Sequence, residues 1–146
     1  MVPLDERFTQ ALQNGARAWR AALERDLKSR GITPAGWSAL AAVAGAADAP
    51  SQRQLAAQLR VDGATLVATI DRLAACGLVM RMPNAHDRRV KLVVLTGQGQ
   101  ALAAQVHERA AQLRRAIAAR IDAGRMAVAS EVLEELRTIL EGACDA

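Results

Sequence analysis

The stretch from Gln52 to Thr96 constrains the fold more than any other, because its apolar period changes within it from helical to stranded. In Gln54–Val61 the apolar residues fall at Leu55, Ala56 and Leu59; Val61 then occupies a turn, and Leu66, Ile70 and Leu73 resume helical spacing. Two short helices joined by a tight turn describe a helix-turn-helix. Ala56 is small enough for a close helix crossing, and Val61 is placed to plug the angle between the helices. With Leu66, Ile70 and Leu73 inward, the outer face of the second helix is Ala64, Thr65, Val67, Ala68, Thr69 and Arg72. Gly77 ends that helix. Leu78–Met82 and Val90–Leu95 then read as two β-strands joined by Pro83–Arg89, a basic hairpin loop or wing.

Charge singles out the same stretch. Between Ser51 and Thr96, seven basic side chains (Arg53, Arg60, Arg72, Arg81, Arg88, Arg89, Lys91) face three acids (Asp62, Asp71, Asp87). That surplus of four equals the net charge of the whole 146-residue chain, so the rest is neutral. A polyanion docking on this segment would release counterions and bind in a strongly salt-dependent way.

The flanks read as helices. Phe8, Leu12, Trp19, Leu23 and Leu27 form one apolar stripe from about Asp5 to Arg30, where Gly31 stops the helix. Thr33-Pro34 is a cap followed by proline at the first helical position, and Trp37, Leu40 and Val43 line the helix that it starts. Ser51 caps the next. Beyond the hairpin, Thr96 caps a helix with a stripe of Leu102, Val106, Leu113, Ile117 and Ile121, which Gly124 is expected to break. A last helix, from about Ala127 to Glu141, carries Val128, Val132, Leu136, Ile139 and Leu140. The terminal helices are too long and too apolar to be satisfied by the central motif alone, and a second copy of the chain is the simplest partner. Two reading heads would then lie side by side. The expected fold class is mainly α with a small β-hairpin wing: a winged helix-turn-helix head over about residues 33–96 and a helical dimerisation body over about 5–30 and 97–143, in one domain.

Several function classes lose support. No apolar run approaches the roughly 20 residues that span a bilayer, and Met1–Glu6 lacks the basic-then-apolar order of a signal peptide, which points to the cytoplasm. Cys76 and Cys144 have no CxxC spacing and are expected to be free thiols. His86 and His107 are far apart in sequence on different elements, which disfavours zinc. There is no glycine-rich phosphate loop, no GxSxG and no histidine beside a nucleophile, so neither catalysis nor a cofactor is expected. Asp71 and Asp87 read as partners for Arg72, Arg88 or Arg89.

Asp71-Arg72-Leu73, Gly77-Leu78-Val79, Asp87-Arg88-Arg89 and Leu95-Thr96-Gly97-Gln98-Gly99, in this order and spacing, resemble the MarR family of bacterial transcription regulators. The Leu66-Val67 step and the Asp-Arg-Arg wing resemble its SlyA branch most. The resemblance implies a homodimer that binds double-stranded DNA at half-sites roughly 34–36 Å apart, a pseudo-palindrome, commonly as a repressor released by a small effector. The second helix of the motif would enter the major groove. There Ala64, Val67 and Ala68 touch thymine methyls, Thr65 and Thr69 reach a phosphate or base edge, and Arg72 grips a phosphate or a guanine. The resemblance assigns Arg88 to minor-groove insertion and Arg89 to an ion pair with Asp87 or a phosphate, two roles that exchange readily. His86 and Asn84 are candidates for backbone contact, but an exposed loop position without a partner describes each of them better.

Gln52, Arg53 and Gln54 begin the first motif helix, where free N–H groups attract phosphate; helix capping explains their polarity as well. An aromatic effector would stack near Trp19 and Trp37, in a cleft between body and head, unless both indoles serve the core. Cys76 is expected to be buried and inert. The weakly polar Val67-Ala68 face motivates an alternative, a winged-helix protein-interaction module without specific DNA binding. An aromatic-ligand carrier or enzyme stands behind both.

Overall fold

The computed structural model describes residues 1–144, without the side chains of Asp26 and Cys144, so the thiol of Cys144 lies outside the described residues. The element order is α1 (Leu4–Lys28), α2 (Pro34–Gly45), α3 (Gln52–Leu59), α4 (Gly63–Ala75), β1 (Val79–Pro83), β2 (Lys91–Leu95), α5 (Gly97–Ala118) and α6 (Ala123–Cys144). The chain forms two compact units, Met1–His107 and Glu108–Ala146.

In the first unit the caps set the element boundaries. Thr33 accepts a bond from the Gly36 amide at 3.1 Å, with Pro34 in the first turn of α2. Ser51 and Gln54 form a reciprocal capping box at the start of α3, satisfying two N–H groups that the helix leaves open. Asp62 caps α4. The turn between α3 and α4 is made by Arg60, which takes the left-handed conformation (φ 55°), while the Val61 amide bonds back to the Ala56 carbonyl. Val61 is 37% exposed rather than plugging the helix angle, whereas Leu55 and Leu66 on the two helices are fully buried in the core.

The core of this unit draws Leu40 from α2, Leu55 from α3, Leu66, Ile70 and Leu73 from α4, and Leu78, Val79 and Val93 from the hairpin and its approach. Ala39 and Val43 of α2 join Leu40 there, together with Leu27, Ile32, Leu102 and Val106. Each such leucine, isoleucine or valine side chain contributes about 1.5–3 kcal/mol by leaving water. Gly36 and Ala39, both buried on α2, keep that helix close to α4.

The strands pair antiparallel from Val79↔Leu95 to Pro83↔Lys91. A bridge between Ser51 and Leu92, with the Val93 amide on the Pro50 carbonyl at 2.9 Å, ties the hairpin base to the start of α3. Gly99 is buried where α5 begins, and a Cβ there would stand 2.0 Å from the Leu78 carbonyl oxygen. Its residue type is therefore dictated by the close approach of α5 to the hairpin.

In the second unit, the break between α5 and α6 comes earlier than the glycine suggests. Asp122 accepts the Arg125 amide at 3.0 Å and starts α6, so Gly124 lies inside the first turn of a helix rather than between two. Val128, Val132, Leu133, Ile139 and Leu140 of α6 stay exposed, as do Ile117 and Ile121.

Candidate nucleic-acid interface

α4 presents the proposed reading face. Its N-terminus is held by Asp62, whose Oδ1 accepts the Thr65 amide at 2.8 Å and whose Oδ2 accepts the Thr65 hydroxyl at 2.6 Å. These bonds, the hydroxyl first, lower the Asp62 carboxyl pKa below the ordinary aspartate value. The Thr65 hydroxyl proton is thus engaged within the cap, leaving only its oxygen to face outward.

Ala64, Thr65, Val67, Ala68 and Arg72 are exposed, as the spacing predicts. Thr69 is not: it is 7% exposed, and its hydroxyl bonds back to the Thr65 carbonyl at 3.0 Å. It shares the inner face with Leu66, Ile70 and Leu73, which removes it from the surface set.

At the start of α3 the two readings of the polar triplet separate. The Gln54 side chain accepts the Ser51 amide at 2.8 Å and is a capping group. Gln52 accepts the Arg81 Nε–H at 2.6 Å. Arg53 is exposed.

The hairpin loop is organised by its own short polar side chains. Asn84 Oδ1 accepts the His86 amide at 2.9 Å, and Asp87 Oδ1 accepts the Arg89 amide at 3.0 Å. The expected Asp87–Arg89 ion pair is replaced by this contact to the backbone. His86, Asp87, Arg88 and Arg89 are all exposed. Among the described residues, neither Arg88 nor Arg89 has an acidic partner within salt-bridge distance. Two guanidinium groups therefore project from a loop whose backbone is fixed by Asn84 and Asp87.

Asp71 pairs with Arg81, a residue that the sequence marks only as part of the basic surplus. Its Oδ1 lies 2.7 Å from Nη2 of Arg81 on β1, rather than beside Arg72, Arg88 or Arg89. The available signal was strand alternation: Arg81 shares a face with buried Val79 and stands opposite fully buried Val93. A guanidinium on the inward side of a strand needs partners close by.

Away from this surface, a cavity of about 370 Å³ is lined by Arg30, Ile32, Cys76, Leu78, Gln98, Ala101, Leu102 and Gln105. Neither Trp19 nor Trp37 lines it; Trp37 is half-buried against the core and Trp19 is half-buried on α1. Cys76 is exposed, contrary to the expectation of a buried thiol, because it follows the last turn of α4 with the chain already reversing at Gly77. Among the described residues no three His, Cys, Asp or Glu side chains gather as metal ligands, and no helix is long and apolar enough to cross a membrane.

A capped helix-turn-helix followed by an antiparallel hairpin with a basic tip defines a winged helix-turn-helix protein, the class of DNA-reading regulators. Residues 30–90 match the family model described as the MarR family. The transcriptional regulator PA3341 is 38% identical, over 92% of this chain and 98% of its own, with a TM-score of 0.74. Wild-type MarR from E. coli is 29% identical over 93% of this chain and 98% of its own, at a TM-score of 0.69. MepR, a transcription regulator of the Staphylococcus aureus multidrug efflux pump MepA, shares the fold at 16% identity, covering 91% of this chain and 98% of its own with a TM-score of 0.76. The chain belongs to the MarR family of transcriptional regulators.

Proposed function

We propose that the protein is a transcriptional repressor that binds a pseudo-palindromic operator as a homodimer, and that a small effector weakens this binding. The observation that carries the reading is the pairing of an exposed α4 face with a hairpin tip that projects Arg88 and Arg89, which have no acidic partner among the described residues. α4 is small and apolar where it would meet bases, at Ala64, Val67 and Ala68, which suits thymine methyls. Arg72 supplies a charged contact in the last turn of α4, and Thr65 an acceptor in its first turn. Arg88 is assigned to the minor groove, where a narrow groove concentrates negative potential. Arg89, His86 and Asp87 then serve the adjoining backbone, Asp87 by shaping the loop. Gln52 and Gln54 sit at the α3 N-terminus, where their remaining amide N–H groups reach a phosphate. The Leu66-Val67 step and the wing support a place nearest the SlyA branch.

Exposed apolar side chains along α6 support the homodimer, since a surface of that kind favours a protein partner. The 370 Å³ cavity supports an effector of drug-like size, and its mixed lining of Ile32, Leu78 and Leu102 with Arg30 and Gln105 suits a partly polar molecule. In this reading, an aromatic effector need not stack on either tryptophan. A regulator of this kind works in the cytoplasm.

The test is a titration of a genomic fragment library at several salt concentrations. A preferred sequence that persists at moderate salt supports the proposal. Sequence-blind binding that disappears with added salt overturns it.

A further inference from the structure

We propose that Arg81 is a positioning residue for DNA reading: a clamp that sets the wing and the recognition helix at one fixed geometry. This rests on the DNA-binding reading above. One guanidinium joins three elements. Its Nε–H donates to Gln52 Oε1 on α3 at 2.6 Å, and its Nη2 reaches Asp71 Oδ1 on α4 at 2.7 Å and the Val67 carbonyl at 3.4 Å. Arg81 itself is on β1, so the strand that leads into the hairpin loop is tied to both helices of the motif.

The arrangement has properties that an ordinary surface ion pair lacks. The side chain of Arg81 is 27% exposed while that of Asp71 is 59% exposed, so the cation is the sheltered member. Its planar fork meets acceptors in fixed directions, which a flexible ammonium does not reproduce. The Val67 carbonyl belongs to a residue on the proposed base-facing surface, two residues from buried Thr69. With Nε and Nη2 engaged by acceptors on α3 and α4, Arg81 acts through the elements it joins, and the exposed Arg88 and Arg89 supply the phosphate contact.

This assignment separates by sign from plain electrostatics. Asp71 is an exposed negative charge on the DNA-facing head; if it acted only by repelling phosphate, Asp71→Asn would tighten binding. As half of a clamp, its loss weakens sequence-preferred binding instead. Arg81→Ala and Asp71→Asn should each lower affinity for the preferred fragment about tenfold, and the double variant should lose much less than the product. The slope of log affinity against log salt should stay at the wild-type value, because no phosphate contact is removed. Arg81→Lys, which keeps the charge without the fork, should recover only part of the loss.

A second measurement needs no DNA. Spin labels at Ala64→Cys and Ala85→Cys, in a chain with Cys76→Ser and Cys144→Ser, report the distance between recognition helix and wing tip. A narrow distribution in the parent should broaden on Arg81→Ala and on Asp71→Asn. If the parent binds DNA without sequence preference yet the distances broaden, the operator reading fails while the clamp stands. Unchanged distances, a salt slope lowered by about one on Arg81→Ala, or tighter specific binding by Asp71→Asn would each overturn the clamp.

Discussion

Gly99 and Asp62 show how single residues position the head. At Gly99 any Cβ would meet the Leu78 carbonyl oxygen at 2.0 Å, and a backbone atom there cannot step aside as a flexible side chain would. Gly99→Ala should therefore destabilise the fold by about 1–3 kcal/mol despite alanine's better helix propensity, measured as a shift in urea midpoint at constant slope. Asp62 gives a pH dependence whose sign follows from its lowered carboxyl pKa. A group more acidic folded than unfolded stabilises fully above its unfolded pKa, and that contribution fades as pH falls through the folded value. Acid titration of the wild type should loosen the first turn of α4 in this range, read by amide exchange at Thr65, and Asp62→Ala should remove the dependence. Thr69 marks the limit of reading one residue at a time. A threonine among exposed residues reads as surface, but its register with Leu66 and Leu73 and its bond to the Thr65 carbonyl put it inside.

At the scale of elements, the hairpin and α4 form the part of the molecule on which the functional reading rests. The helix-turn-helix and its wing were legible from apolar spacing, and Thr33-Pro34, Ser51 and Gly77 marked real boundaries because caps and reversals act locally. Gly124 does not mark the α5–α6 break: a glycine inside a first turn resembles a helix end, while the cap that governs the break, Asp122, is one acid among many. Arg81 went unassigned for a related reason. A basic residue in a basic segment reads as surface charge, and only pairing with β2 brings it opposite Val93 and within reach of Gln52 and Asp71. Within the hairpin loop, Arg88→Ala should cost roughly 1–3 kcal/mol of operator affinity and leave thermal unfolding unchanged, measured by fluorescence anisotropy alongside calorimetry.

At the scale of the whole molecule, exposed Val132 and Ile139 on α6 leave apolar surface that a second copy would cover. Val132→Asp should weaken self-association and operator binding together, seen by sedimentation and by band shift on the same samples, whereas Arg88→Ala should affect the second alone. A monomeric wild type would remove the paired heads from the proposal. The most direct test of two winged heads reading one duplex is a hydroxyl-radical footprint on the preferred fragment. The proposal predicts two protected half-sites on one face, roughly 34–36 Å between centres, with flanking minor-groove protection that disappears in Arg88→Ala. A single protected patch, or flanks still protected in Arg88→Ala, would contradict it.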